Sequence, residues 1–434
     1  MSLHNKAGKV FIKMDKLAIN GGEPVRKTDF PSSFLGVTLY GEEELAELTD
    51  VIKEKSPFRH YGIGTPDKTE QFENAVCEYF GTKFALAVSS GTGALFCTIA
   101  ALGIGPGDEV ILPNFNWFSS YHAITNSGAL PVFADINESL NIDPDDFKKK
   151  ITSKTKAVIV VSYQGHPPEM DMIMQIANEH SIYVIEDIAQ AFGATYKGKK
   201  LGTFGHISIA SFQQNKTLCC GEGGVIITDD EELFVKSVRY HDLSLMRPLF
   251  ADKVQNKDLL DDALTFAGNQ YRMNEFSGAV MLAQIKKIDT ILNTCRTHHA
   301  KFRDAFANNK NFNIRWIDGD CGVAIFMLFK TIEEARLFQD ALSAEGIPLG
   351  PKSACRNLMT QYPIKSKAQA NKNMPPFGKG YNGESIDYEK LNEGTKADEI
   401  LSRYIAISLG PIYTDNDIND IIEAVKKVDH HLYI

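Results

Sequence analysis

Helical patterns and short apolar runs alternate along this chain from residue 67 onward. The first helical pattern, residues 67–80, repeats Phe72, Val76 and Phe80 at a spacing of four, which places them on one helix face. Seven short apolar runs follow at residues 84–88, 109–113, 131–136, 157–162, 183–187, 208–212 and 224–228. Continuous apolar runs of this length are typical of strands buried on both faces of a parallel sheet. The pattern predicts a doubly wound α/β domain with a mostly parallel seven-stranded sheet.

The pattern changes in the C-terminal third of the chain. Residues from Asn274 to about Arg303 predict one long helix. The strand and helix signals beyond it are short and predict a smaller α+β domain. We therefore divide the chain into a large domain at 14–290 and a small C-terminal domain at 291–434. Residues 1–13, ahead of a second methionine, are interpreted as an extension or cloning remnant.

Composition and charge exclude several classes of protein. The 434 residues include 46 Lys and Arg against 55 Asp and Glu, a net charge of −9, which argues against a surface built for nucleic acid. No apolar run approaches the ~18 residues of a membrane span. Seven cysteines lack the density of a disulfide scaffold, so we expect a reducing compartment, the cytoplasm. Histidines and cysteines lack metal-ligand spacing, and we predict no metal site.

Polar residues follow the apolar runs at the sheet edge where doubly wound proteins bind their ligands. The stretch SSGTGAL at 89–95 is a Gly-rich turn that opens a helix. Its N–H groups suit a phosphate, although many such turns are only structural. Asp187 ends another run, where a carboxylate either pairs with a protonated ring nitrogen or caps the next helix.

Two further residues suit an aromatic ligand that forms an imine. Lys216 follows a buried run and precedes GEGG; it is either a solvated loop residue or a desolvated amine able to form a Schiff base. Trp117 follows a different run and is either a core residue or a platform for ring stacking. Together with the Gly-rich turn and Asp187, these residues fit one anionic, aromatic, imine-forming cofactor.

Several longer stretches occur at matching spacing between about residues 18 and 300: SSGTGAL, GIGPGDEVILP, EDIAQAFGATYKGKKLGTFG, SFQQNKTLCCGEGGVIITDD and YRMNEFSGAVMLAQI. Their combination closely resembles the pyridoxal-phosphate sugar aminotransferases of the DegT/StrS family. The resemblance implies the aspartate-aminotransferase (type I) fold, pyridoxal 5′-phosphate as cofactor, and a homodimer with active sites at the subunit interface. It also implies transfer of an amino group from glutamate or glutamine to a keto sugar, keto-sugar acid or cyclitol ketone in polysaccharide or secondary-metabolite biosynthesis.

The resemblance implies a role for each residue around the cofactor ring. Lys216 corresponds to the lysine that binds the cofactor covalently and later moves a proton. Asp187 corresponds to the partner of the pyridine nitrogen, Gln190 to the group that faces the phenolic oxygen, and Trp117 to the stacking ring. An acidic partner keeps the ring nitrogen protonated, so the ring can take up electrons.

The phosphate site is implied to draw on both subunits. Ser211 and the N–H groups around Thr92 and Gly93 correspond to its part within one chain. Where the family has Asn two residues before Arg, reaching the partner's phosphate, this chain has Gln270 preceded by Asn269. We expect one of these two side chains to make that contact. The family's V-H-x-x-G is VSYQG here, so the nearby substrate contacts are expected to differ.

The sequence also brings other functions into consideration. One is a cofactor-dependent sugar dehydratase, but the dehydratases that this sequence resembles carry His where it has Lys216. SFQQNK and YRMNEFSGAV are also similar to 3-amino-5-hydroxybenzoate synthases, whereas SPFRHYG and LSRYIAISL are similar to members that aminate an eight-carbon keto-sugar acid. A transcription regulator with a type I fold would need a basic DNA-binding segment, which the sequence lacks.

A long polar segment is the last candidate for substrate binding. Residues 364–397 are rich in Lys, Asn, Pro and Gly and predict a loop that is either functional or disordered. Together with Lys352 and Arg356 just before it, this loop could close over a large anionic or polyhydroxylated acceptor.

Overall fold

The computed structural model describes residues 16–349 and 356–433. Its strands are β1 (Phe84–Val88), β2 (Glu109–Pro113), β3 (Phe115–Asn116), β4 (Leu130–Ala134), β5 (Thr155–Val161), β6 (Tyr183–Asp187), β7 (Thr195–Tyr196), β8 (Lys199–Lys200), β9 (Ile207–Ser211), β10 (Gly224–Thr228), β11 (Phe312–Ile314), β12 (Ala324–Phe329), β13 (Arg356–Asn357) and β14 (Tyr404–Ser408). Its α-helices are α1 (Glu42–Glu54), α2 (Lys68–Phe80), α3 (Gly91–Ala101), α4 (Phe118–Asn126), α5 (Pro144–Lys150), α6 (Met170–Glu179), α7 (Glu231–His241), α8 (Pro248–Ala251), α9 (Glu275–Ile285), α10 (Ile288–Ala305), α11 (Ile332–Ala344), α12 (Tyr362–Lys365), α13 (Tyr388–Asn392), α14 (Ala397–Ser402) and α15 (Asp415–Tyr433).

The central sheet has seven strands in the order β1-β10-β9-β6-β5-β2-β4. Strand β10 is antiparallel to both of its neighbours, and the other four pairs are parallel. The predicted α/β class and the mostly parallel seven-stranded sheet are therefore confirmed. Because β10 alone is reversed, β1, β9, β6, β5 and β2 all end at one edge of the sheet, and the loops that follow them meet there.

The continuous apolar runs arise because helices cover both faces of the sheet. Along β5, Val158 and Val160 pack into the core on one face, with α2, α6 and α9. Ile159 and Val161 pack into the core on the other face, with α3, α4 and α7. Successive side chains of a strand point to opposite faces, so burial on both faces requires apolar residues at every position.

A second, smaller unit lies C-terminal to α9. Strands β11, β12 and β14 form an antiparallel sheet, and its core includes residues of α10, α11 and α15. This is the α+β arrangement predicted for the C-terminal part of the chain.

The long helix predicted from Asn274 to about Arg303 is wrong, because the structure has two helices, α9 and α10, with a break at Lys286 and Lys287. The Lys287 N–H bonds the carbonyl three residues earlier, which ends α9 in a tight turn. The Lys287 ammonium also bonds the Leu39 carbonyl and the buried carboxylate of Glu44. Tertiary contacts thus end a helix that the local pattern would continue.

The predicted loop at 364–397 contains short helices and packs against the large domain. Ile364, Phe377 and Tyr388 are buried in the core on the α3 face of the central sheet. The Tyr388 hydroxyl donates to the carbonyl of Pro131 in β4 at 2.9 Å. The segment is therefore not disordered. Lys352 lies outside the described residues, and Arg356 begins β13, which pairs with β3.

Within residues 16–349 and 356–433, none of the helices combines the length and the apolar character needed to span a membrane.

Candidate active site

A cavity of about 440 Å³ opens at the sheet edge where the parallel strands end. Its walls include Leu35, Ser90, Gly91, Thr92, Leu95, Asn116, Trp117, Ser119, Ser120, Gln164, Asp187, Ala189, Gln190, Ile209, Ser211, Gln213, Asn215, Lys216, Thr217, Glu222 and Val323. Six of the nine residues predicted to form the site are in this wall, contributed by the ends of four strands and the loops that follow them.

The N-terminus of α3 forms one end of the cavity. Ser90 caps the helix, and its hydroxyl accepts the N–H of Gly93 at 2.9 Å. Gly93 is the third residue of the helix and does not line the cavity, whereas Gly91 and Thr92 do. The unpaired N–H groups and dipole of a helix N-terminus attract an anion. The Gly-rich turn thus presents to the cavity a helix end that suits an anion.

Two glycines, Gly91 and Gly224, allow the chain around Ser211 to lie close to the N-terminus of α3. A Cβ on Gly91 would lie 2.6 Å from the Cβ of Ser211, and one on Gly224 would lie 2.5 Å from the backbone of Ser90. Both distances are far below van der Waals contact, so glycine is required at both positions. The Ser211 hydroxyl and the α3 N-terminus consequently line one small space, which fits a phosphate group.

The N-terminus of α4 forms a second polar wall, which the sequence analysis did not identify. The hydroxyls of Thr92 and Ser119 are 2.8 Å apart and hydrogen-bonded. Asn116 donates to the Ser120 hydroxyl at 2.8 Å and is buried. Trp117, the residue before α4, also lines the cavity and is 49% exposed, so it is not a core residue. Asn116, Ser119 and Ser120 follow β2 closely in the sequence, and this position could have identified them as site residues.

Asp187 lies at the floor of the cavity as the last residue of β6. Burial raises the pKa of its carboxyl, while the Ala189 N–H and the positive charge of Lys216 act in the opposite direction. The Ala189 N–H donates to this carboxylate at 3.1 Å. The residues that follow form turns and then β7, so Asp187 does not cap a helix. A buried carboxylate of this kind is poised to pair with a cationic group.

Lys216 lies in the connection between β9 and β10. Its N–H bonds the carbonyl of Gln213 at 2.8 Å, and Phe212 pairs with both Cys220 and Gly223 through the backbone. These bonds close the connection into a compact loop whose Lys216 side chain lines the cavity. The lysine is therefore a residue of the cavity wall that shares the site with Asp187.

Gln190 is held by a residue that the sequence analysis named only as part of VSYQG. The N–H of Gln164 donates to Oε1 of Gln190 at 3.3 Å, and both side chains line the cavity. Gln164 has φ +49°, a left-handed conformation that is uncommon outside glycine. Its placement depends on the turn after β5, which a sequence pattern does not show.

Asn269 and Gln270 are not part of the cavity of their own chain. Both are exposed, and Asn269 donates to the Tyr240 hydroxyl at 2.9 Å. Gln270 forms a backbone bridge with Asp242. The expected contact with a partner's phosphate stays a prediction.

The residues of the cavity fit pyridoxal 5′-phosphate. The close approaches at Gly91 and Gly224 bring the Ser211 hydroxyl beside the N-terminus of α3 in the cavity wall, a combination that suits a phosphate. The buried Asp187 suits a protonated ring nitrogen, Lys216 has the amine needed for a covalent link, and Trp117 has an aromatic face for stacking. These groups differ in chemistry and meet in one cavity.

Comparisons with known proteins agree with this chemistry. A model of the DegT/DnrJ/EryC1/StrS aminotransferase family matches residues 40–375. The chain is 30% identical over 391 residues to the spore coat polysaccharide biosynthesis protein SpsC of Bacillus subtilis (strain 168), covering 90% of this chain and 95% of that protein. It is 38% identical over 245 residues to GDP-perosamine synthase of Escherichia coli O157:H7, covering 56% of this chain and 63% of that protein.

The fold agrees as well. The crystal structure of 3-amino-5-hydroxybenzoic acid synthase matches with a TM-score of 0.77 at 22% identity, covering 94% of this chain and 100% of that chain. This confirms the predicted type I fold. The family match extends over most of the chain, and the reaction and the cofactor follow from it. The chain belongs to the DegT/DnrJ/EryC1/StrS aminotransferase family and is a pyridoxal-phosphate-dependent transaminase.

Proposed function

We propose that this enzyme transfers an amino group from glutamate or glutamine to a keto sugar, keto-sugar acid or cyclitol ketone in polysaccharide or secondary-metabolite biosynthesis. The observation that carries the proposal is the polar but largely uncharged cavity wall around Lys216 and Asp187. The relatives named GDP-perosamine synthase and spore coat polysaccharide biosynthesis protein support a sugar acceptor.

The proposed roles of the residues follow from their positions. When bound, the cofactor supplies a ring that withdraws electrons from the carbon next to the reacting nitrogen. Lys216 holds the cofactor covalently and then moves a proton to and from that carbon. Asp187 holds a proton on the ring nitrogen, and Gln190 donates to the phenolic oxygen. Trp117 stacks on the ring at the cavity mouth.

The phosphate is proposed to bind between Ser211, Thr92 and the N-terminus of α3. Gly93 contributes indirectly, because its bond to the Ser90 cap orients the first turn. These groups offer hydroxyls and N–H donors without a cation, so the helix dipole supplies the positive potential.

Few charged side chains line the cavity, and this bears on the class of acceptor. Among the described residues that line the cavity, the charged ones are Asp187, Lys216 and Glu222. The side-chain amide of Gln164, which lines the cavity, suits the hydroxyl groups of a polyhydroxylated acceptor.

The acceptor is tested in two half-reactions. Glutamate and glutamine are first added to the holoenzyme, and the loss of its visible absorbance reports conversion of the cofactor to the amine form. Keto sugars, keto-sugar acids, cyclitol ketones and oxaloacetate are then compared for the rate at which they restore the absorbance. We expect the sugar-type ketones to be preferred. Restoration by oxaloacetate with kcat/KM of ~10⁴ M⁻¹s⁻¹ or more would contradict the proposal.

We also propose a homodimer in which Asn269 or Gln270 reaches the partner's phosphate. Exposure of both side chains outside their own cavity supports this. In the test, an Asn269→Ala/Gln270→Ala double variant is mixed with Lys216→Ala under conditions of subunit exchange. A mixed dimer then has one site with an intact lysine and an intact segment from the other subunit, so activity returns. If the segment acts within its own chain, mixing restores nothing.

A further inference from the structure

The turn that follows β5 is held by three residues of the small domain. The Cys321 N–H donates to the Gly165 carbonyl at 3.1 Å. The Asp320 carboxylate pairs with Nδ1 of His166 at 2.8 Å, and both side chains are buried. Nη2 of Arg315 donates to the Gln164 carbonyl at 3.5 Å. Three consecutive residues of the turn are thus tied to residues 315–321.

Arg315 occupies an unusual environment for a cation. It is 7% exposed and its guanidinium lies 4.0 Å from the centroid of the Phe326 ring. Its hydrogen bonds go to two backbone carbonyls, those of Ser139 at 3.1 Å and Gln164 at 3.5 Å, and its Nε has no partner among the described residues. The Asp320 carboxylate acts on Arg315 through its charge, while the hydrogen bonds of the guanidinium go to backbone carbonyls. Arg315 is therefore placed to hold backbone groups.

The Gln164 peptide links Arg315 to the cavity. On one side its carbonyl accepts from Arg315, and on the other its N–H donates to Oε1 of Gln190. A backbone N–H can only donate, so the atom that accepts it is the carbonyl oxygen of the Gln190 amide. The other end of that amide is the NH₂ group, a donor. This contact favours the orientation of the Gln190 amide in which Oε1 faces the Gln164 peptide.

A donor is the group that a negatively charged phenolic oxygen requires. If the Gln190 side-chain amide were turned around, its carbonyl oxygen would face the phenolic oxygen, and the two negatively polarised atoms would repel each other. The left-handed backbone of Gln164 (φ +49°) is unfavourable for a residue with a Cβ and persists only where surrounding contacts hold it. Arg315 supplies one of those contacts.

We propose that Arg315 is a positioning residue for the cofactor: by holding the Gln164 peptide, it keeps the Gln190 amide turned so that its NH₂ faces the phenolic oxygen. This rests on the proposed role of Gln190. The small domain then influences the electronic state of the cofactor ring through one peptide group, without contacting the ring.

The test is a pH titration of the visible absorbance of the holoenzyme. A donor at the phenolic oxygen stabilises the deprotonated form of the bound cofactor, so its loss raises the pH at which the spectrum changes. Arg315→Met keeps the packing over Phe326 and removes the donor. We expect its titration midpoint to rise by about one pH unit, the size of a partly lost hydrogen bond to a charged group. If the methionine variant does not fold, Arg315→Lys takes its place. Lysine has one nitrogen for the two carbonyls, so its titration midpoint should also rise.

Two comparisons separate this role from a general effect on folding. Arg303→Met is the matched control, because Arg303 also stacks on an aromatic ring, Trp316, at 4.0 Å but lies outside the contacts of Gln164. This variant should titrate like wild type. In a Gln190→Leu background, Arg315→Met should cause no further shift, since residues acting through one group are not additive.

Two outcomes overturn the proposal. One is an Arg315→Met midpoint equal to that of wild type. The other is a shift that persists undiminished in the Gln190→Leu background. A wild-type protein that shows no visible absorbance with pyridoxal 5′-phosphate would instead refute the assigned site, so the two failures are distinguishable.

Discussion

The close contact between Gly91 and Ser211 leads to a prediction about cofactor binding. Gly91 is the first residue of α3, and a Cβ there would lie 2.6 Å from the Ser211 Cβ and 3.1 Å from its hydroxyl oxygen. Carbon atoms at van der Waals contact are about 3.5–4.0 Å apart. Gly91→Ala therefore has to move the helix end and the end of β9 apart by about 1 Å. The contacts involve the base of a side chain, so a rotamer change does not relieve them.

The size of the effect follows from the phosphate contacts that this movement lengthens. A hydrogen bond to a charged group contributes about 1.5–3 kcal/mol, and a shift of 1 Å takes a bond near 2.8 Å beyond the usual limit. Losing one such bond weakens the affinity for pyridoxal 5′-phosphate by about 10- to 150-fold, at 1.4 kcal/mol per factor of ten. The apoenzyme should also lose stability, because overpacking a tightly packed position typically costs about 1–3 kcal/mol.

The assay is an equilibrium titration of the apoenzyme with pyridoxal 5′-phosphate, followed by visible absorbance, with thermal unfolding of the apoenzyme measured in parallel. Gly105→Ala is the matched control. A Cβ on Gly105 would have one neighbour, at 3.7 Å, and that residue is outside the cavity wall. An unchanged Kd for Gly91→Ala would refute the reasoning, since it would show that Gly91 and Ser211 do not hold the phosphate together.

Further predictions concern the other groups of the cavity. Lys216→Ala should abolish both transamination and the absorbance of the covalently bound cofactor; absorbance that persists would contradict the assignment. Asp187→Asn should retain the cofactor but lower turnover by about two orders of magnitude, the lower end of what a positioned proton-transfer group contributes. Burial raises the pKa of Asp187 above 3.8 in the apoenzyme, so its unfolding free energy falls as pH rises past that value; the asparagine variant should flatten this dependence in denaturant titrations. Ser119→Ala should weaken cofactor affinity several-fold by releasing the Thr92 hydroxyl, with the Kd again as the measurement.

Much of the large domain was predictable because its signals are local. Each strand of the sheet is buried on both faces, so it appears in the sequence as an unbroken apolar run. Four of the seven runs have the predicted bounds and the other three are displaced by one or two residues, within the normal spread of element ends. Lys216, Asp187 and the Gly-rich turn were recognisable because each lies at the end of such a run or within a few residues after it.

The rest depends on which loops the strand order brings together. Gln164 follows β5 and meets Gln190 because β5 and β6 are neighbouring strands. Ser119, in the first turn of α4, meets Thr92 because α3 and α4 pack side by side, although β1 and β2 are not neighbours in the sheet. The break between α9 and α10 depends on contacts of Lys287 with Leu39 and Glu44, more than 240 residues earlier in the chain.

By itself, then, the sequence determined the secondary structure of the sheet and, through the family that its motifs resemble, the type of cofactor chemistry, because burial periodicity and short motifs are properties of neighbouring residues. The tertiary structure alone decided that Gly91 and Ser211 enclose one space and that Arg315 holds the Gln164 peptide. The physical reason is that hydrogen bonds and van der Waals exclusion act over a few ångströms, whereas the residues they join lie more than 100 positions apart along the chain.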